Sequence, residues 1–222
     1  MSPRLVFPDA HAAADALTFA RRAATLDTDA AVRLQAAGGR LVMSTAVLAP
    51  RTLLDAAPTV LALRILPVDA ELECDLVVEA TGLAAASVDT EVSLPASAVR
   101  AAWAGIAPPQ GGWERVASVS ASTVARIAQG GMTAVAEALP QNPGEDVVRS
   151  TRATIWSVGD AELDGMPRGV AFAAFALGFI GGDEQAVVFE ADGWRRVSLT
   201  RGHVLLRVPR RPSMTAVRRT GS

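Results

Sequence analysis

Two histidines carry the readiest acid–base and metal chemistry in this sequence. His11 lies four residues before Asp15, a spacing that places both side chains on one helix face, as in many metal sites. The alternative is that both are cap and surface residues of a helix start. His203 follows the turn Arg201-Gly202 and could act as a general base. Its alternative is a polar residue that only flanks a turn.

A run of carboxylates offers a second candidate metal site. Its members share odd-number parity, so on a strand they point to one face: Asp69, Glu71, Glu73, Asp75 and Glu79. Glu71 and Glu73 would then lie about 6.6 Å apart at the backbone, close enough to converge on a hard cation. The alternative is the solvated or arginine-paired outer face of a half-buried strand, and no calcium-loop pattern lies nearby.

Several kinds of catalysis are excluded by the residue types. All 21 basic residues are arginine and there is no tyrosine, so no lysine Schiff base and no phenolic acid can form. Cys74 lies between Glu73 and Asp75, whose charges should raise the thiol pKa and leave it unreactive. No serine elbow or dinucleotide fingerprint is present. The sequence predicts a non-enzyme without a cofactor. A hydrolase using His203 and a carboxylate of the acidic run would need both in one cleft.

Charge is distributed unevenly along the chain. Beyond Asp192 there are eight arginines and no carboxylate, whereas the preceding part has 13 arginines against 23 carboxylates. An anion-binding arm would pair these arginines with phosphates and stack Trp194 on a base. The residues of this predicted arm are Trp194, Arg195, Arg196, Arg207, Arg210 and Arg211. The alternative is a set of structural strands paired with the acidic body, followed by a tail.

Composition and length bound the organisation of the chain. The 222 residues are 50% hydrophobic with one cysteine, which favours a packed core in a reducing compartment. No signal peptide is evident, and the longest apolar run, Val170 to Ile180, is too short to cross a membrane. We expect a cytoplasmic protein with no membrane partner. One domain should cover 1–208, with a subdomain break near 108–112 and a flexible basic tail over 209–222.

The periodicities predict an α+β fold with a β-rich N-terminal half, a helical middle and a C-terminal antiparallel β-meander. Asp9 should cap a first helix, and Gly38-Gly39 should turn a hairpin between 31–36 and 40–47. Further strands are expected at 59–66 and 71–80, as a pair, and at 90–94, before a helix that contains Trp103. Three helices should follow: one that Ser120 caps and that Gly130-Gly131 kinks or interrupts, one over 145–156 and one over 166–180. A meander over 186–208 should end the fold.

Element order permits a second fold hypothesis for the C-terminal half. Three helices followed by a β-meander, from about Ser118 to Val208, is the order of a winged-helix nucleic-acid-binding domain. The third helix, expected over 166–180, has no polar side chain between Val170 and Ile180 with which to read bases. Nucleic acid would therefore bind through phosphates contacted by the wing and tail arginines.

Motifs in the second half carry a resemblance. Pro108-Pro109 with Gly112-Trp113, then Gly181-Gly182-Asp183-Glu184, then 201–207 (RGHVLLR) resemble uncharacterised proteins of high-GC Gram-positive bacteria. The resemblance implies a bacterial cytoplasmic origin and assigns no catalytic residue. The sequence therefore predicts a non-catalytic binding or interaction module that forms a homo-oligomer such as a homodimer. The alternative is a nucleic-acid-associated protein.

Overall fold

The structure is a computed structural model that describes residues 3–50, 52, 55 and 57–207. Its helices are α1 (Ala10–Leu26), α2 (Ala121–Ala138), α3 (Glu145–Ser157) and α4 (Arg168–Ala176). Its strands are β1 (Arg4–Val6), β2 (Ala31–Ala37), β3 (Arg40–Leu48), β4 (Thr59–Pro67), β5 (Cys74–Glu79), β6 (Ala84–Ala85), β7 (Glu91–Ser93), β8 (Glu114–Ser120), β9 (Gln185–Ala191), β10 (Trp194–Leu199) and β11 (Gly202–Arg207). The fold is α+β, as the periodicities predicted.

One antiparallel sheet of eight strands runs through both halves of the chain. Its order is β5-β2-β3-β4-β11-β10-β9-β8, so β4 from the first half pairs with β11 from the second at its centre. That pairing joins Thr59–Leu63 to His203–Arg207, with Leu61 opposite Leu205 in the middle. On either side lies a three-stranded meander, β2-β3-β4 or β9-β10-β11.

Each half therefore contains a strand, a helical region and three antiparallel strands in the same order, although the sequence shows no repeat. The halves differ at the outer edges of the sheet. In the second half β8 pairs directly with β9, whereas in the first half β1 pairs with β7 in a separate three-stranded sheet with β6. The place beside β2 is taken by β5. The predicted pair of strands 59–66 and 71–80 is wrong, because β4 and β5 lie on opposite sides of the β2–β3 hairpin.

The helices cover one face of the large sheet. α1 contacts β2, β3 and β4, and α4 contacts β3, β4 and β11, so the main core lies between these helices and the sheet. α2 and α3 pack against α4 in turn. Helix α4 is buried along most of its length, from Gly169 to Ala174, as its uniformly apolar sequence indicated.

Local capping and turn chemistry behave as expected. Asp9 Oδ1 accepts a hydrogen bond of 2.8 Å from the Ala12 amide, and Ser120 Oγ accepts one of 3.1 Å from Thr123. Gly38 and Gly39 both adopt positive φ (56° and 76°), which a tight hairpin between β2 and β3 requires. These confirm two predicted caps and the predicted hairpin.

The second face of the sheet is crossed by the connection between the halves, residues 99–113, which we call the strap. It starts beside β5, where the Val99 amide donates to the Val77 carbonyl at 2.8 Å, and ends at β8. In between, Trp103, Ile106 and Trp113 pack on a small buried cluster of Leu61, Trp194 and Leu205. A helix containing Trp103 was predicted here and is wrong. Only one 3-10 turn forms, Ala102–Gly105, because packing across the sheet overrides helical propensity.

The glycine pair in α2 does not interrupt the helix, contrary to the sequence prediction. α2 is continuous from Ala121 to Ala138. A Cβ on Gly131 would overlap the Trp156 ring, whereas a Cβ on Gly130 would meet nothing within 4 Å. Gly131 therefore allows the close approach of α2 to α3, and Gly130 faces open space.

We predict opposite effects of alanine at these adjacent positions. Gly131→Ala should lower the free energy of unfolding by about 1–3 kcal/mol, because the buried Trp156 ring must shift. Gly130→Ala should raise it by about 0.5–1 kcal/mol, since alanine favours the helix and displaces nothing. Denaturant unfolding of both variants tests this. Equal effects of the two substitutions would contradict the proposed packing.

Candidate functional site

An arginine held between two aromatic rings lies where the strap meets the sheet. The Arg196 guanidinium carbon is 4.6 Å from the ring centroid of Trp113 and 4.6 Å from that of Phe189. Its Nε is buried and has no hydrogen-bond partner among the described residues. Burial lowers the pKa of Arg196, and cation–π contact with two rings offsets part of that desolvation. Arg196 therefore fastens the strap to the sheet and is not available as a free cation.

His203, the catalytic candidate, lies beside this stack. It occupies the diagonal position to Arg196 across β10 and β11, and its Nδ1 is 3.0 Å from the Ser198 hydroxyl. Burial lowers the pKa of His203, and the charge of Arg196 lowers it further. No carboxylate within the described ranges pairs with it, and it lines neither cavity described below. The hydrolase hypothesis lacks the shared cleft it requires.

Three of the four described members of the predicted anion-binding arm, Trp194, Arg195 and Arg196, are engaged in contacts within the protein. The Trp194 side chain packs under the strap with 5% of its surface exposed, so it cannot stack on a base. Arg195 pairs with Glu190 at 2.5 Å and with Asp164 at 3.2 Å. Arg207 is exposed and lies 5.7 Å from the Trp194 ring. Arg210 and Arg211 lie outside the described residues, as does the predicted tail over 209–222.

The candidate metal ligands do not assemble. His11 is exposed, and Asp15 forms an ion pair with Arg64 rather than facing a metal. Glu71 and Glu73 precede β5 on an exposed segment. Within the described ranges, no group of three or more His, Cys, Asp or Glu side chains is placed to hold a metal ion.

On the acidic strand the structure shows an arginine–carboxylate pair, which was the alternative to a metal site. Arg33 holds Asp75 through two hydrogen bonds of 2.8 Å, and this contact lowers the pKa of the Asp75 carboxyl. Cys74 is half-buried, and burial is the first cause that raises its thiol pKa, with the charge of Asp75 contributing less. The raised pKa of the Cys74 thiol was predicted, but its main cause is burial rather than the neighbouring charges.

A cavity of about 300 Å³ opens on the helical face, between α1 and the end of α4. Its charged lining comes from both halves: His11, Asp15, Arg22, Arg64 and Arg201. Arg22 donates to the Leu177 carbonyl at 2.6 Å and Arg64 pairs with Asp15. Arg201 has no ion-pair partner within 4 Å among the described residues. Burial raises the pKa of nearby Glu184, but hydrogen bonds from Thr200 and Gly181 and, to a smaller extent, the charge of Arg201 lower it overall. We call this the arginine cavity.

A second cavity, of about 420 Å³, lies at the end of the large sheet where β8, β9, β10 and β11 terminate or begin. We call it the end groove. It is lined by Gly112, Glu114, Glu190, Ala191, Asp192, Gly193, Trp194, Arg195 and Leu206. Three of these residues are acidic and one is basic, so the groove attracts cations.

The two halves of the chain match two separate family models. Residues 1–105 match DUF8010 and residues 108–211 match DUF8185, both described as domains of unknown function. The boundary between them falls in the strap. No curated protein matches the sequence significantly.

Solved structures identify the architecture. A DNA polymerase sliding clamp from Caulobacter crescentus superposes with a TM-score of 0.50 and 11% identity, over 96% of this chain and 67% of the clamp. The fold is sliding-clamp-like. A putative DNA polymerase III beta subunit from Eubacterium rectale matches with a TM-score of 0.49 and 9% identity. It aligns over 96% of this chain, which spans 66% of that protein.

The observed architecture shows that the winged-helix hypothesis is wrong. β9, β10 and β11 are inner strands of an eight-stranded sheet rather than a small wing beside a recognition helix. Helix α4 is buried against the sheet and cannot enter a DNA groove. No helix within the described ranges is long and apolar enough to span a membrane.

Sequence reasoning missed the Arg196 stack and both cavities, because each assembles residues from distant elements. Trp113, Phe189 and Arg196 come from the strap, β9 and β10. The signal that existed was strand parity, which places Arg196 and His203 on one face of the meander. Of the two rings that cover Arg196, Phe189 belongs to the same meander, and Trp113 comes from the strap outside it.

We predict that His203 makes stability depend on pH. Because its pKa is lowered in the folded state, the unfolded chain binds more protons below its own pKa of about 6.5. The free energy of unfolding should therefore fall as pH drops from about 7.5 to about 5.5. Denaturant unfolding at both pH values should show a smaller fall for His203→Gln than for the parent. The control His11→Gln changes an exposed histidine and should keep the parent's fall. If the free energy of unfolding fell equally with pH in His203→Gln and in the parent, His203 would not be the source of the pH dependence.

Proposed function

We propose that this chain is a non-catalytic interaction module that associates with copies of itself. The observation that carries the proposal is the open edge of the large sheet at β8. Within the described residues, the outer edge of β8 has no strand partner. Val116 is 48% exposed and lies where the β8–β9 register shifts, between Arg115 and Ala117. An unpaired strand edge is a template for pairing with another chain.

The other edge of the sheet is less available. Along β5 the Val77 carbonyl already accepts a hydrogen bond from Val99 at the start of the strap. Exposed carboxylates at Glu73, Asp75 and Glu79 also lie on or beside β5. Two identical β8 edges can pair antiparallel about a twofold axis, which gives a closed dimer. The proposal therefore favours a symmetric dimer through β8 over a head-to-tail assembly.

Cellular placement belongs to the same proposal. The sequence resemblance to proteins of high-GC Gram-positive bacteria supports a bacterial origin, and the single cysteine supports a reducing cytoplasm. The reactive candidates His203 and Cys74 are held in structural contacts, which supports a role in binding rather than catalysis.

We predict that a charge at the open edge separates the copies. Light scattering coupled to gel filtration should give a mass for the parent chain of twice 23.0 kDa. Val116→Lys should shift that mass toward one chain, because lysine on an edge strand opposes pairing. Val88→Lys is a matched control, since Val88 is 46% exposed and lies away from β8. A single-chain mass for the parent, or equal effects of both lysines, would overturn the proposal.

Nucleic-acid association is the second candidate function, and the arginine cavity is the observation that favours it. Three guanidinium groups line this cavity on the helical face against one lining carboxylate, which Arg64 pairs. The solved structure with the 0.50 TM-score is named a DNA polymerase sliding clamp, which fits a DNA partner. Phosphate oxygens would then contact Arg22 and Arg201 from solvent.

We predict a salt-dependent loss of DNA affinity when this cavity is altered. In fluorescence anisotropy with mixed duplex DNA, Arg22→Gln with Arg201→Gln should weaken binding. Each lost phosphate contact should reduce the slope of log affinity against log salt by about 0.9. Arg40→Gln with Arg115→Gln removes the same charge from exposed sites on strands and is the control. Absence of binding at low salt, or equal weakening by both pairs, would exclude this function.

A further inference from the structure

A row of side chains crosses four strands at the end groove. Leu206 of β11 lies opposite Arg195 of β10, Arg195 opposite Glu190 of β9, and Glu190 opposite Glu114 of β8. The row therefore runs from an apolar residue through one cation to two adjacent carboxylates. Asp192, in the turn between β9 and β10, adds a third carboxylate to the same groove.

The charges of this groove are not balanced. Glu114 and Glu190 are cross-strand partners, and like charges at such positions repel each other. Arg195 is the one basic lining residue, and it is shared between Glu190 and Asp164. Glu114 and Asp192 have no ion-pair partner within 4 Å among the described residues. A cationic segment laid in the groove would relieve the repulsion and pair both.

The chain itself supplies such a segment at the rim of the groove. Leu206 is part of the groove lining, and the described chain ends one residue later, at Arg207. The sequence beyond it, residues 208–222, contains Arg210, Arg211, Arg218 and Arg219 and no Asp or Glu. The charge of this segment is thus opposite to that of the groove at which it begins.

We propose that the end groove is the binding site of the chain's own C-terminal segment, residues 209–222. The contacts that recognise it are arginine–carboxylate pairs to Glu114, Glu190 and Asp192, which form short charge-assisted hydrogen bonds. Leu206, a buried residue of the groove lining, precedes this segment by three residues in the sequence. Occupation of the groove by this segment excludes other cationic partners from it.

The distances suit Arg210 and Arg211. Neighbouring strands lie about 4.8 Å apart, so Glu190 on β9 is about 10 Å from β11 and Glu114 on β8 about 14 Å. An extended chain advances about 3.3 Å per residue, so three to four residues beyond Arg207 cover about 10–13 Å. The arginine side chain adds further reach. Both carboxylates therefore fall within range of the first arginine pair of the segment.

Photo-cross-linking in the full chain tests this site. p-Benzoylphenylalanine in place of Ser213 should cross-link to residues 112–116 or 190–195 of the same molecule. The cross-links are identified by mass spectrometry of the single-chain band on a denaturing gel. The yield should be lost when salt rises from about 0.1 M to about 1 M, since the screening length falls from about 10 Å to about 3 Å. Cross-linking within one chain is scored whether or not the protein dimerises, so this test is separate from that of self-association.

Matched variants decide the outcome. Cross-linking at the groove should be abolished in the triple variant Glu114→Gln, Glu190→Gln, Asp192→Asn. The double variant Arg210→Glu, Arg211→Glu should also abolish it, without altering the folded body. Glu71→Gln, Glu73→Gln and Glu137→Gln remove the same charge from exposed sites elsewhere and should preserve it. Cross-links at other places, between two chains, or to added duplex DNA instead of the groove would overturn the proposal. So would a yield unaffected by salt and by the groove variants.

Discussion

The pairing of β4 with β11 is the constraint on which the rest of the structure depends. These two strands lie 140 or so residues apart in sequence, yet they form the central ladder of the sheet, with Leu61 opposite Leu205. Burial on both faces fixes their register, because a one-residue slip would exchange the residues facing the helices with those facing the strap. The arginine cavity exists because this ladder brings α1 and α4 together.

The strap adds a second link between the halves, of a different physical kind. It contributes aromatic rings rather than a strand, and the guanidinium of Arg196 is enclosed between Trp113 and Phe189. Arg196 is half-buried and has no carboxylate partner within 4 Å among the described residues, and contact with the two rings compensates part of its desolvation. On this face Arg196 is therefore engaged in holding the strap, and His203 contacts the Ser198 hydroxyl rather than a carboxylate.

Local features were predictable from sequence, and long-range features were not. The caps at Asp9 and Ser120, the Gly38-Gly39 hairpin and the C-terminal meander depend on neighbouring residues, so their patterns are readable. The partner of a strand depends on packing across the whole sheet, and the sequence placed β5 beside β4 when it lies beside β2. The end groove could not be predicted from the sequence, because Glu114 and Glu190 become neighbours only through the β8–β9 ladder.

The central ladder also determines how the molecule could be divided. Cut apart at the boundary of the two matched families, each half would expose an apolar strand: Val60 and Ala62 of β4 on one, Val204 and Leu206 of β11 on the other. Such edges promote aggregation, so the halves are poor candidates for separate expression. Produced together, the same edges should find each other. A chain divided in the strap would then behave as a split protein whose fragments reassemble into one particle.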